Sequence, residues 1–260
     1  KPSYVITVPS FLLKLIEYAE VHGIDYNNSS IKGAICIGES LRNQDFSMNT
    51  LSKKITEKWN IKLFSTYAST EMSTAFTECE HGLGGHHHPE LIIVEVLDEE
   101  NNPVKNGEIG ELTFTTLGIE AMPLLRFKTG DIVQLHNEPC ACGRNTVRVG
   151  PVVGRKKQMI KYKGTTLYPP AMNDVLSDFD NIENHIIEIS TNDLGTDEIL
   201  IKIAVKNQTP EFLQEIKDHF RAKLRVTPKI EFTSKEILNP LVFNPMSRKP
   251  IRFFDFRNNL

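Results

Sequence analysis

Tyr4-Val-Ile-Thr-Val-Pro-Ser-Phe-Leu-Leu-Lys-Leu-Ile-Glu-Tyr-Ala-Glu-Val-His-Gly23 is the stretch that decides the fold class. Tyr4 to Val8, rich in β-branched side chains, reads as a buried strand. Pro9-Ser10 marks a helix start, with Ser10 as the N-cap. Phe11, Leu12, Leu15, Ile16 and Ala19 then recur at helical spacing, and Gly23 fits a stop. A second apolar strand, Ile31 to Ile37, runs into Gly38-Glu39-Ser40. A helix is expected from about Asn49 to Trp59 and a third strand from Ile61 to Tyr67. Strands alternating with helices in this way predict an α/β region with a mostly parallel sheet.

Outward from this region the pattern changes. Leu91 to Leu97, Gly110 to Leu117 and Leu124 to His136 are β-rich segments split by turns such as Glu100-Asn-Asn-Pro103, which predicts a small antiparallel β subdomain. A second change falls at Gly154-Arg155. Met159 to Leu167 reads as a hairpin, a helix begins near Pro169, and Ile186 to Ser190 and Glu198 to Val205 read as strands. Pro210 to Leu224 has the spacing of an amphipathic helix, and Lys229 to Phe232 reads as a last strand. The expected organisation is residues 1–153 as one domain and 154–260 as a small α+β domain.

The chain has 260 residues, 40% hydrophobic and 24% charged, with a formal net charge of −3. That balance supplies no cationic excess to neutralise phosphates, so neither nucleic acid nor a membrane is the expected partner. The four cysteines are too few and too scattered for a disulfide scaffold, and the default compartment is the cytoplasm. Cys36 lies in the apolar run Ala-Ile-Cys-Ile and reads as a core thiol. The opening Lys1, without an initiator Met, suggests that a preceding segment is absent.

Four segments could carry chemistry. Tyr67-Ala-Ser-Thr-Glu71 follows a strand, where ligands of α/β sheets collect. Its aromatic ring, hydroxyls and carboxylate could stack on a base, bond a phosphate and hold Mg²⁺. Read alone, it also fits a polar turn capping a helix. Arg126-Phe-Lys-Thr-Gly-Asp131 presents an aspartate that could accept hydrogen bonds from both hydroxyls of a ribose, or simply mark a turn between strands. Gly154-Arg-Lys-Lys-Gln-Met-Ile-Lys-Tyr-Lys-Gly164 is either a solvated linker with a hairpin or a phosphate-contacting Arg155 with a permissive Gly164. Pro245-Met-Ser-Arg-Lys-Pro-Ile-Arg252 is a basic loop that could be a surface tail or deliver a lysine to an anionic transition state.

Separately, Cys79, His86, Cys140 and Cys142 form a sulfur/nitrogen set suited to tetrahedral Zn²⁺, with His81, His87 and His88 as competing histidines. The spacing lacks the common Cys-x-x-Cys pair, and reduced surface cysteines beside a His-rich loop would look the same.

Taken together and in order, the four segments resemble the core motifs of the adenylate-forming superfamily of acyl-CoA synthetases. Tyr67 to Glu71 resembles its aromatic–Gly–x–Thr–Glu motif, Arg126 to Asp131 its Tyr–Arg–Thr–Gly–Asp motif, and Gly154 to Gly164 its hinge motif. Within it the chain resembles phenylacetate–CoA ligases. The residues that carry this are Lys1-Pro2 with Val8-Pro9-Ser10, Gly38-Glu39, Glu78-Cys79 with Gly84-x-His86, Thr116-Leu117 before Met122-Pro123-Leu124, and Cys140-x-Cys142-Gly143-Arg144.

The resemblance implies an aryl-acid–CoA ligase that makes acyl-AMP and pyrophosphate from an aromatic carboxylic acid and ATP, then a thioester with CoA. It implies Tyr67 and Ser69 for the adenine and phosphate end of ATP/AMP, Thr70 for the α-phosphate, and Glu71 for Mg²⁺. It also implies Asp131 and Arg155 for the ribose, and Gly38-Glu39 as a further nucleotide-side contact. Lys249 takes the place of the adenylation lysine, Lys157 the hinge, and Gly164 the pantetheine path. Matching Cys and His positions imply a structural zinc, and a homodimer is allowed.

Three departures stand out. Ala68 replaces a Gly, Lys157-Gln158 replaces two hinge aspartates, and Ser73-Thr74-Ala75 replaces a Gly–Pro–Gly run near the acid pocket, which bears on which acid is taken. The superfamily's Ser/Thr/Gly-rich phosphate loop has no match here, so the chain is expected to be a C-terminal portion, inactive alone. A synthetase that transfers AMP without CoA, or a non-catalytic zinc-stabilised unit, are the rival expectations.

Overall fold

The computed structural model describes residues 1–193, 195–247 and 250–257. The chain divides into two compact units, Lys1–Lys156 and Lys157–Leu260. The first unit begins with β1 (Tyr4–Thr7), α1 (Pro9–Val21), β2 (Gly33–Ile37), α2 (Thr50–Lys58) and β3 (Lys62–Ala68). Its later strands are β4 (Ala75–Glu78), β5 (Gly85–His86), β6 (Ile92–Leu97), β7 (Ile109–Thr116), β8 (Phe127–His136), β9 (Arg148–Val149) and β10 (Gly154–Arg155).

These strands form one ten-stranded sheet in the order β1-β2-β3-β4-β5-β9-β8-β7-β6, with β10 also paired to β8. The ladder is parallel across β1, β2 and β3 and antiparallel beyond, so the β-rich stretch continues the parallel sheet. α1 buries Leu12 and Ile16 in one core with Ala34, Cys36 and Leu63. Side chains buried this fully are worth about 1.5–3 kcal/mol each for Leu and Ile.

The structure corrects the entry to α1. Val8 is the N-cap and Pro9 occupies the first turn, where a missing N–H costs nothing. Ser10 instead donates its backbone N–H and its hydroxyl to the two carboxylate oxygens of Glu39, at 2.9 and 2.8 Å. In α2, Asn49 caps as its residue type favours, accepting from the Ser52 N–H at 3.0 Å. Cys36 is fully buried, and burial pushes its thiol up to about 12, which makes it inert.

The second unit contains the hairpin β11 (Ile160–Tyr162) and β12 (Thr165–Leu167), then α3 (Pro169–Ser177), β13 (Ile182–Thr191), β14 (Asp197–Val205), α4 (Pro210–Leu224), β15 (Lys229–Thr233), α5 (Lys235–Val242) and β16 (Phe253–Asp255). Its main sheet has the order β15-β14-β13-β16. Ile187, Ile189, Ile199, Ile201 and Ile203 pack against Met172, Val175, Ile216 and Phe220 of α3 and α4 in one core. Thr209 caps α4 on the Phe212 N–H, and Arg225 ends it in the left-handed region at φ 59°. α5 and β16 carry little periodic signal, since α5 contains Pro240 and β16 is three residues long.

Candidate functional site

β2 and β3 run parallel with Ile37 opposite Thr66, so Gly38-Glu39 and Tyr67 lie at the same end of the sheet. β3 does not lead into a helix. It turns back through residues 69–74 into β4 as an antiparallel hairpin, with Tyr67 opposite Phe76. Thr70 and Glu71 stand exposed on that turn. The Glu71 carboxyl lies below its usual range because its own backbone N–H and the Ser69 hydroxyl favour the charged form. Ser73 holds φ at 55°, a conformation that costs a side-chain-bearing residue and suits glycine.

Asp131 comes from the other side of the sheet. The sequence reading ends a strand at Thr129-Gly130, but β8 continues through it. Between the pairs Lys128–Thr113 and Ile132–Glu111 the register shifts, leaving Thr129, Gly130 and Asp131 opposite Leu112. This is a bulge, made possible by Gly130 at φ 76°. The Thr129 hydroxyl donates to the Leu112 carbonyl at 2.9 Å and accepts from the Asp131 N–H at 3.0 Å, which fixes the aspartate.

Tyr67 donates its hydroxyl to Asp131 Oδ2 at 2.7 Å. Arg155, paired opposite Asp131 across β10 and β8, brings Nε to 3.4 Å from Oδ1. Burial, followed by the adjacent carboxylate, pushes the Tyr67 phenol well above its usual range, so it remains a donor. The rings of Tyr67 and Phe76 are 6.0 Å apart and those of Phe76 and His87 6.2 Å, both stacked.

Lys157 and Gly164 lie in the second unit. Lys157 is its first residue, within a 3-10 turn at Lys156–Gln158, and its side chain is exposed. Gly164, at φ 81°, follows Lys163 at φ 49° in the two-residue turn of the β11–β12 hairpin, where both central residues need positive φ. Lys249 lies outside the described residues.

A second constellation sits where the first unit's strands are shortest. One ligand atom from each of Cys79, His86, Cys140 and Cys142 falls within 4.8 Å of all the others. Cys79 Sγ lies 3.6 Å from Cys140 Sγ, and Cys142 Sγ lies 3.5 Å from His86 Nε2. A tetrahedral zinc with bonds of about 2.0–2.3 Å has edges of about 3.8 Å between sulfurs and about 3.5 Å from sulfur to nitrogen. The residues therefore fit such an ion.

His86 is the histidine that joins this set. Its other ring nitrogen, Nδ1, is 3.3 Å from the Thr146 hydroxyl, a partner that would leave Nε2 free as a ligand. His87 is 2.7 Å from the Ile92 carbonyl, and His88 pairs with Glu90 at 3.3 Å. The Arg144 backbone N–H and then its guanidinium hold the Cys142 thiol down at about 7, while burial lowers the His86 imidazole.

Two supports escaped the sequence reading. Arg42 makes a forked pair with the buried Glu78, with Nε at 3.1 Å and Nη2 at 3.1 Å, and Glu78 also accepts the Ser65 N–H at 3.0 Å. Arg148, buried in β9, donates to the carbonyls of Leu83 and Glu138, bracing both loops that carry the cysteines. A lone Arg between Val147 and Val149 was the available signal.

No protein-family model matches the chain. It superposes on a 2-hydroxyisobutyryl-CoA ligase solved in its postadenylation state in complex with 2-HIB-AMP, with a TM-score of 0.78 and 23% identity over 98% of this chain and 54% of that one. An anthranilate CoA ligase in complex with anthranoyl-AMP gives 0.67 and 16% over 90% and 46%. The chain has the fold of adenylate-forming ligases. Its curated relatives include phenylacetate–CoA ligases, and it corresponds to a portion of them. The Thermus thermophilus enzyme is 30% identical over 220 residues, covering 83% of this chain and 47% of that protein. The Escherichia coli enzyme is 25% identical over 99% of this chain and 59% of its own length. The chain thus spans about half the length of the curated relatives it matches.

Proposed function

We propose that this chain carries the nucleotide-handling part of an ATP-dependent aryl-acid–CoA ligase. The carboxylate attacks the α-phosphate of ATP to give acyl-AMP and pyrophosphate, and the thiol of CoA then displaces AMP. The observation that supports it best is the meeting of Tyr67, Asp131 and Arg155, far apart in sequence, in one cluster joined by a hydrogen bond and an ion pair, close in sequence to the exposed Thr70 and Glu71.

In this reading Tyr67 offers its ring to adenine while its hydroxyl steadies Asp131, which receives the ribose diol with Arg155 alongside. Ser69 and Thr70 face the phosphates, and Glu71 would hold Mg²⁺ there. Gly38-Glu39 borders the same end of the sheet, although both Glu39 oxygens already accept from Ser10. Lys249 would neutralise the repulsion between carboxylate and α-phosphate, and Lys157 would be the pivot between the two steps. Cys79, His86, Cys140 and Cys142 would hold a zinc ion whose four protein ligands leave no open position, so its contribution is structural. The chain would act as part of a longer protein and would be inactive alone.

The test is acid-dependent pyrophosphate exchange on the full-length protein with a panel of aromatic acids, followed by CoA-dependent release of AMP. Lys249→Ala should cut exchange by at least about 100-fold, the usual cost of removing one charge-stabilising contact from a closed site. Thioester formation from supplied acyl-AMP should be nearly unchanged. Normal exchange in the variant, or equal loss of both steps, refutes the role. AMP release that ignores CoA favours the synthetase that transfers AMP alone.

A further inference from the structure

Arg257 makes a dense set of side-chain bonds in the second unit, and none of the four motifs contains it. Its Nη1 donates to the Met159 carbonyl at 2.7 Å and to Asp197 Oδ2 at 3.1 Å. Its Nη2 donates to Asp255 Oδ2 at 2.6 Å and to the Lys157 carbonyl at 3.4 Å, and its Nε to Asp255 Oδ1 at 2.9 Å. Asp197 Oδ2 also accepts the Lys161 backbone N–H at 2.8 Å. The side chains of Arg257, Asp197 and Asp255 are only 16%, 15% and 19% exposed.

Asp197 opens β14 and Asp255 closes β16, which flank β13 in one sheet. Met159 and Lys161 lie at the start of the hairpin that carries Gly164. One planar fork therefore joins the turn at Lys157, the Gly164 hairpin and the main sheet. A guanidinium suits this because its donors are fixed in a plane and remain charged, whereas a lysine offers a single mobile ammonium.

We propose that Arg257, together with Asp197 and Asp255, is a positioning residue for the thioester-forming step. It locks the Lys157 turn and the Gly164 hairpin to the β13–β14–β16 sheet, so that rotation at Lys157 carries the unit as one body. Without the lock, part of the rotation is lost in the turn and hairpin. The inference rests on Lys157 being the pivot, and it adds the device that transmits the pivot's motion.

The experiment uses full-length protein carrying Arg257→Lys, Arg257→Ala or Asp197→Asn, each checked for folding by its thermal melt. Pyrophosphate exchange should stay within about twofold of the parent, while thioester formation from supplied acyl-AMP slows by about tenfold or more, as small misplacements remote from the chemistry do. Arg257→Lys should fall between Arg257→Ala and the parent. Equal loss of both half-reactions in folded variants assigns the cluster to stability alone and overturns the inference, as does no change in either. Lys157→Pro is run in parallel, because Pro fixes φ at about −65°. If Lys157→Pro slows only thioester formation and the Arg257 variants do not, the positioning role fails while the pivot stands. If Lys157→Pro fails to separate the steps, the pivot reading falls and this inference with it.

Discussion

The two units are held together by different means. The second packs isoleucines of β13 and β14 against the inner faces of α3 and α4 in its main core, and Ile186, Ala204, Leu238 and Val242 in a smaller one. The first has two cores, one around Leu12, Ile16, Ala34 and Ile55, the other around Phe76, Phe114, Leu112 and Val133. Where the sheet passes from β4 to β8 its strands are short, with β5 and β9 only two residues each. Strands so short contribute little pairing of their own. At this seam sit the Cys79–His86–Cys140–Cys142 set and the Arg42–Glu78 pair. There the ladder is short, and side-chain fasteners hold what backbone pairing does not.

The largest effect should come from breaking the fastener. Protein purified without added metal should hold about one zinc per chain, and removing it should cost the first unit several kcal/mol, because binding a structural metal is coupled to folding. Hydrogen exchange should then speed up in β4, β5 and β9 while β13 and β14 stay protected. Full thermal stability in metal-free protein would erase the contrast between the units.

The second unit has its own weak point in His185, buried beside Arg252 with Nε2 2.9 Å from Asn173 Oδ1. Burial, then the Arg252 charge, lowers its pKa from 6.5 to about 3. Between those values the unfolded chain binds a proton that the folded chain refuses, so stability falls as pH falls. The slope is at most about 1.4 kcal/mol per pH unit, and above the unfolded value the contribution is flat. Denaturation of the second unit followed from neutral pH to pH 4 should show this slope, and His185→Gln should remove it. An unchanged slope in the variant would place the acid sensitivity elsewhere.

How much was legible in the sequence follows the same division. Pro210–Leu224 is read to its ends because an amphipathic stripe runs its whole length. The hairpin read over Met159 to Leu167 is found as β11 and β12, joined at Lys163-Gly164. At the seam local rules give no purchase: two-residue strands have no period, and a bulge at Gly130 looks like a turn until the strand beyond it is paired. The metal set was visible as residue types, but choosing His86 over His81, His87 and His88 required the pairing of β4 with β5. The joining of Tyr67 to Asp131 is likewise a tertiary fact, set by a hairpin and a bulge from distant segments.

The smallest predicted effect probes that joining. Tyr67→Phe keeps the ring that would stack on adenine and its packing on Phe76, and removes only the hydroxyl that donates to Asp131 at 2.7 Å. A hydrogen bond to a charged acceptor is worth about 1.5–3 kcal/mol. Asp131 keeps its Arg155 contact, and its side chain is 16% exposed, so water can replace part of what is lost. The cost should therefore sit at the lower end, about tenfold in apparent affinity for ATP, with kcat of adenylation changed less. Because Asp131 is assigned the ribose diol, the loss should be smaller for 2′-deoxy-ATP, which forms one bond fewer to that carboxylate. Measuring KM for both nucleotides with Tyr67→Phe and the parent decides it. Equal losses for the two would mean the hydroxyl only stabilises the seam, making it one more fastener of the first unit and no part of nucleotide recognition.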